Sequence, residues 1–395
     1  MDKLEFHQGN PQEEPPKRIA KKEYHIRWRY LAIGAAVILA VVACATLWDS
    51  TAFDGLRRSV VYSQAKKDEN GCALLYNYAS ERDQSYTHLN GNLILVSQHH
   101  VAMLSESGQE LYHADVKFHK SAVTDNGTSA AAYDIGGREI YLLNAKGLVR
   151  KLETDGEILG CYLNARGDLA VTAGKKGYKA AVSVYDSKGE LRFEFKSSDR
   201  FLMTAAIQND GSQMAAATMG ETEGSFASTV VLYRMDSTEP LANCQLPGGA
   251  VYDIGVVGSN YCAVAEDGLF FIGKDGKQKA FFDFEGTFLR RCSLDGDGYA
   301  TAVLGRYKSG GETQLVTVSE NGELIGRVEM NGEVLSIDAA GKYVAVLCSD
   351  ALTIYDKKLN VCAQLEDVSF ARDVLMREDG SALLVGAESA SLYLP

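Results

Sequence analysis

Tryptophan and proline are scarce in this chain of 395 residues, which holds two of the first and six of the second. Against 38 glycines, so little proline excludes a proline-rich linker protein and suits many short strands joined by glycine turns. Eight cysteines are present; apart from Cys44 they form an odd set without close spacing, so they do not read as a disulfide framework. Cys161, Cys262, Cys292 and Cys348 lie in apolar runs and read as small buried hydrophobes. Positive charge is also short. Beyond residue 29 acidic residues exceed basic ones by roughly 14, which argues against a nucleic-acid partner. No G-x-S-x-G elbow, phosphate loop, dinucleotide fingerprint or zinc-protease motif occurs, so no catalytic residue and no cofactor is assigned.

One stretch, 30–48, "YLAIGAAVILAVVACATLW", carries no charge at all. About 18 helical residues at roughly 1.5 Å each nearly cross a hydrocarbon core of ~30 Å. Trp28, Tyr30 and Trp48 flank it as interfacial anchors would. Lys17, Arg18, Lys21, Lys22, Arg27 and Arg29 precede it, whereas Arg57 and Arg58 follow, so the positive-inside rule puts the N-terminus in the cytoplasm. The expected organisation is a cytoplasmic tail at 1–29, one transmembrane helix at 30–48, a linker at 49–71 and an extracytoplasmic domain at 72–395. Two processing alternatives stand beside the uncleaved anchor: a lipoprotein signal with Cys44 as the lipidated residue, and cleavage at the A-x-A-like Ala43 and Ala45.

The outer part repeats itself. "VYDSKGEL" at 184–191 has counterparts with turns at Gly108, Gly147, Gly189, Thr238, Gly276, Gly322 and Asn360. A second series interleaves with it, at Gly91, Gly127, Gly167, Gly211, Gly258, near Gly296, Gly341 and Gly380. Each unit then reads as strand a, glycine turn, strand b, loop, strand c, glycine turn, strand d. A period of about 40 to 45 residues with four strands is the signature of propeller blades. The second series has one turn more than the first, because the chain stops after an eighth strand c, "ASLYLP". An open ring would leave a bare sheet edge, and "CALLYNYA" at 72–79 is available to cover it. The expectation is an all-β, eight-bladed β-propeller closed by an N-terminal strand. A seven-bladed ring is the alternative, if 371–395 merges with the first unit.

The repeated "VYDxxG" pattern resembles that of quinoprotein-like and WD40-like propellers. With an N-terminal anchor, the chain looks like a family of membrane-anchored propeller proteins known only as a domain of unknown function. Quinone-dependent dehydrogenases of this shape carry a tryptophan docking motif in most blades. Here both tryptophans, Trp28 and Trp48, precede the repeats, and Tyr185-Asp186 and Tyr355-Asp356 stand where a WD dipeptide would. The resemblance therefore implies architecture.

Candidate sites are few. His88, His99, His100, His113 and His119 cluster in sequence but fall on different strands and turns, so no metal site is assigned. "LDGDGY" at 294–299 has Asp295 and Asp297 without the further ligands of a calcium loop and reads as a hairpin turn. "RGD" at 166–168 and the sequon "NGT" at 126–128 also fall in turns. Three b–c connections are long: 174–180, 219–228 and 305–313. They carry Lys175, Tyr178, Phe226, Arg306, Tyr307 and Lys308, basic and aromatic residues on an otherwise acidic domain, which suggests a binding rim. The function expected is a non-enzymatic scaffold or recognition module for envelope proteins or wall components. A surface enzyme of the lactonase or quinoprotein type is the alternative.

Overall fold

The computed structural model describes residues 71–395 other than 223, 238, 309 and 310. Before them it describes 33–39, 42, 54–55, 58–60, 62 and 66–69. Most of the expected transmembrane segment 30–48 lies outside the described residues; 33–39 and 42 are helical, with exposed apolar side chains. Among the described residues no helix is long and apolar enough to cross a membrane. The chain divides into two units between Asp54 and Gly55.

Residues from 72 onward fold into eight four-stranded antiparallel sheets. Seven of them use four consecutive strands, in blades spanning 85–115, 121–153, 158–197, 201–246, 251–283, 288–330 and 334–366. The eighth takes three strands from 371–393 and borrows the fourth, Cys72–Asn77, from the other end of the chain. That strand pairs antiparallel with Ser389–Tyr393, from Cys72 opposite Tyr393 to Asn77 opposite Ser389. The eight-bladed reading and its closing strand are thus both present, and the seven-bladed alternative falls.

The apolar residues explain why the ring must close. Eight buried clusters exist among the described residues, and each draws its members from two successive blades. No blade has a core of its own; it buries each face against a neighbour. The cluster at the seam joins Ala73 and Tyr76 of the borrowed strand to Leu93 and Leu95 of blade one and to Leu383 and Val385 of blade eight. Tyr76 is fully buried, and its hydroxyl donates to the Gly91 carbonyl at 2.6 Å. Strands b are buried along their length, as in Tyr343–Cys348 of blade seven, because they are sandwiched on both faces.

The turn glycines have a double cause. Gly276 and Gly322 adopt φ near +74° and +75°, where a side chain is strained. A Cβ on either would also strike the preceding blade, at 2.2 Å from Ala242 and 2.6 Å from Ala280. In blade seven the same turn is made by Leu359, with φ +62° and a buried side chain. In the sixth a–b turn Gly298, at φ +72°, takes the left-handed position, not Gly296.

The stretch 49–71 makes contacts where it is described. Arg58 donates to the Asp379 carbonyl at 2.8 Å and to that of Pro395 at 3.2 Å; Tyr62 donates to Asp379 Oδ2 at 2.7 Å; Lys67 reaches the Leu394 carbonyl at 3.2 Å. Asp379 is in the a–b turn of blade eight, and Leu394 and Pro395 follow its strand c. The chain therefore enters the propeller on the face of the a–b and c–d turns. The b–c and d–a connections form the opposite face.

Two measurements test closure. A chain beginning at residue 81 should aggregate or melt far below one beginning at residue 49, as read by calorimetry. Tyr76→Ala should destabilise the full chain by about 3 to 5 kcal/mol in denaturant titration, the range of large-to-small core changes.

Candidate functional site

Eight inner strands surround the propeller axis, and several place a polar side chain on it. The carboxylates are Asp125 in Ser121–Asp125, Asp253 in Val251–Val257, Asp295 in Phe288–Gly296, Asp338 in Val334–Ala340 and Asp373 in Ala371–Met376. Asp253 and Asp295 keep exposed surface although protein surrounds them, as side chains facing an internal channel do. Their charges reach one another across the axis. Asp295 of blade six feels Asp125 of blade two, on the opposite side of the ring, and then Asp253.

Local hydrogen bonds hold each group. Asp125 accepts from the Thr87 hydroxyl and from the Gly127 N–H at 2.8 Å. Asp338 accepts from Ala339 N–H at 2.9 Å and, across the blade junction, from Met376 N–H at 2.7 Å. Asp373 accepts from the Ser336 hydroxyl of the neighbouring blade and from Val374 N–H at 2.9 Å. Asp295 has only a long contact from Ser293, 3.3 Å.

Burial raises Asp253, and burial with repulsion from other aspartates raises Asp295 and Asp338. Burial, with Asp125 second, pushes Asp295 up to about 6, and burial followed by Asp295 pushes Asp338 well above the usual carboxylate range. Burial, then the Arg377 guanidinium, holds His88 down at about 4, so the imidazole is neutral at ordinary pH. Burial pushes the Cys161, Cys262 and Cys292 thiols up, which keeps them protonated and unreactive. The seven cysteines from Cys72 onward are all free.

The channel opens on the b–c face into a cavity of about 420 Å³. Arg291, Arg372, Asp373, Glu81, Tyr86 and Ser336 line it, among others. Among the described residues neither Arg291 nor Arg372 has a hydrogen-bonding or ion-pair partner for its guanidinium, and one oxygen of Glu81 is buried without a hydrogen bond.

The long connections reach the same face. Tyr178, Phe226 and Tyr307 are 45, 73 and 50 % exposed. The basic residues beside them are engaged by side chains close by. Lys175 pairs with Asp155 and Glu194, both at 2.7 Å; Arg306 pairs with Glu312 at 2.8 Å and lies over the Tyr307 ring; Lys308 lies 5.2 Å from the centre of the Phe288 ring. Blade five, with a short connection at Glu266 and Asp267, separates the blade-three and blade-four residues from those of blade six. The 219–228 stretch is not a loop. Its strands stay paired up to Thr222 opposite Ser225, which leaves a short turn at the tip. Arg200 braces this extension, donating to the Ala227 carbonyl at 2.7 Å and to the Thr218 hydroxyl at 2.9 Å.

The histidines disperse. His88 is on the inner strand of blade one, His100 faces Glu81 at 3.1 Å and stacks on His113, and His119 meets Asp134 at 2.9 Å. Among the described residues no group of three or more His, Cys, Asp or Glu could hold a metal ion. The axial carboxylates are the polar feature that the motif search missed. The available signal was an aspartate inside an otherwise apolar strand a, as in "YDIGVV" and "LSIDAA". Asp295 stood out, but as part of a turn; it belongs to the inner strand, and the turn proper begins two residues later.

Residues 72–366 match the family of unknown function DUF5711. The chain belongs to that family. No curated protein matches it. Among solved structures it is similar to the computationally designed Ika8 protein, with TM-score 0.58 and 10 % identity over 81 % of this chain and 99 % of that one. It is also similar to the C-terminal WD40 domain of Sif2, with TM-score 0.58 and 14 % identity over 82 % and 99 %. At such identities the likeness concerns the fold alone.

The raised acids set a pH dependence. An unfolded aspartate titrates near ~3.9 and the folded Asp295 near 6, so the folded state holds the proton longer. Stability is therefore lost as pH rises between those values, and the loss is complete above 6. Asp295→Asn should raise the melting temperature at pH 7.5, and this gain should vanish near pH 4. Melts at both pH values check it; an equal gain at each would mean that charge is not the cause.

Proposed function

We propose that this protein is a single-pass membrane protein whose extracytoplasmic propeller is a non-enzymatic recognition module for an envelope protein or wall component. The observation that carries the recognition role is the exposure of Tyr178, Phe226 and Tyr307 on one face, the face opposite the chain's entry. Aromatic and arginine side chains are favoured at interface centres. The uncharged 30–48 run, its basic N-terminal flank and the helical 33–39 support the anchor.

A second reading, a surface enzyme of the lactonase or quinoprotein type, draws on Asp295 and Asp338. A carboxyl whose proton is held above the usual carboxylate range is suited to general-acid work. The absence of tryptophan from 72–395 weighs against the quinoprotein form of it.

Two experiments test the proposal. An impermeant thiol probe on intact cells should label a cysteine introduced at Tyr307 but not one at residue 10; the reverse would sink the topology. Replacing Tyr178, Arg306 and Tyr307 together with alanine should abolish crosslinked partner capture while shifting stability by less than about 1 kcal/mol, since surface changes are usually small. Undiminished capture would move recognition off this rim, and turnover of a lactone by the purified chain would favour the enzyme.

A further inference from the structure

Six consecutive inner strands, those of blades three to eight, carry the same irregularity. Each is bulged one or two residues after its start, at Ile158/Gly160, Leu202/Thr204, Val251/Asp253, Leu289/Arg291, Val334/Ser336 and Ala371/Asp373. Blades one and two pair without it. A bulge leaves one residue outside the ladder and re-aims its side chain. The residues so released are Leu159, Met203, Tyr252, Arg290, Leu335 and Arg372. They occupy equivalent positions at the b–c end of the inner strands, so they form an arc around the channel mouth.

The arc has two chemistries. On the adjacent blades three, four and five it is apolar and open: Leu159, Met203 and Tyr252 are 47, 37 and 56 % exposed. Scattered exposed apolar residues need no explanation, but an unbroken series at one register position marks an interaction site. On blades six and eight the mouth carries arginines. Arg290 is used internally, donating to the Tyr307 carbonyl. Arg291 and Arg372 are exposed and line the cavity without a partner among the described residues. Three carboxylates line the same cavity: Asp373 accepts from Ser336 and Val374, Asp83 accepts from the Gln98 amide at 3.3 Å, and Glu81 faces His100 with its other oxygen unpartnered. Two free guanidinium forks in a protein of net charge −12 are complementary to carboxylates from outside.

We infer that this mouth docks an extended peptide segment of a partner protein, with apolar side chains on Leu159, Met203 and Tyr252 and carboxylates on Arg291 and Arg372. Packed sheets lie about 10 Å apart, so the arc is wider than a metabolite; about six to eight extended residues at ~3.3 Å each span it. The acidic interior of the channel keeps an anionic segment draped over the opening. This deepens the recognition reading and rests on it, but it uses the inner arc rather than the outer loops.

The test uses purified full-length protein and a labelled octapeptide that alternates leucine with aspartate. Two controls replace aspartate by lysine, or leucine by serine. The aspartate–leucine peptide should bind at least 10-fold tighter than either control at physiological salt. Arg291→Glu with Arg372→Glu should cost at least 10-fold and turn the preference to the lysine peptide, whereas Arg291→Lys with Arg372→Lys should retain most of the binding. Met203→Ser with Tyr252→Ser should weaken the original peptide at unchanged melting temperature. No selectivity, or selectivity that the arginine exchange does not reverse, overturns the proposal. Partner crosslinking by the same protein separates that outcome from failure of the recognition reading: crosslinks retained mean that the module recognises something else.

Discussion

Packing of blade against blade is the interaction on which everything else depends. The apolar residues are shared out so that each cluster needs two neighbours, and a ring of eight leaves none without one. This explains runs of small residues in the second strands. Ala130, Ala131 and Ala132 of blade two, and Ala215, Ala216 and Ala217 of blade four, are fully buried, and their short side chains let adjacent sheets approach. It also explains why the first strand of the domain is spent on the last blade. Pairing Cys72–Asn77 with Ser389–Tyr393 covers a sheet edge and completes the cluster around Tyr76 in one step.

Convergence on one axis has an electrostatic cost. Aspartates far apart in sequence meet because each inner strand points at the same space, and the ionised forms of Asp295 and Asp338 are disfavoured there. A set of acids that opposes folding at neutral pH is the kind of feature retained for a use.

Much of the architecture was legible in the sequence because it is written as periodic local chemistry. The left-handed turn positions demanded glycine, and their count exposed the missing strand. Asn360 stood near the seventh turn, but the left-handed residue is Leu359, which no glycine rule finds. The extended hairpin at 219–228 was hidden for a related reason. Glu221, Thr222 and Ser225 look like loop residues, yet the ladder runs on through them, with Arg200 bracing Ala227 nearby. The axial carboxylates and the bulged arc were illegible for a deeper cause. Both depend on which positions of different repeats meet in space, and a single aspartate in one strand carries no mark of its partners across the ring. The exposed aromatics of the long connections could be found, but that Lys175 and Arg306 are held by acids close by could not.

The bulge has a consequence for how such a protein diversifies. A residue outside the ladder is not fixed by strand pairing and, Leu335 apart, none of the six packs into a cluster, so exchanging it leaves the frame largely intact. Six such positions surround one opening, each on a separate blade. Specificity can drift there one side chain at a time, at almost no cost to folding, while the glycines and alanines that hold the disc together stay fixed.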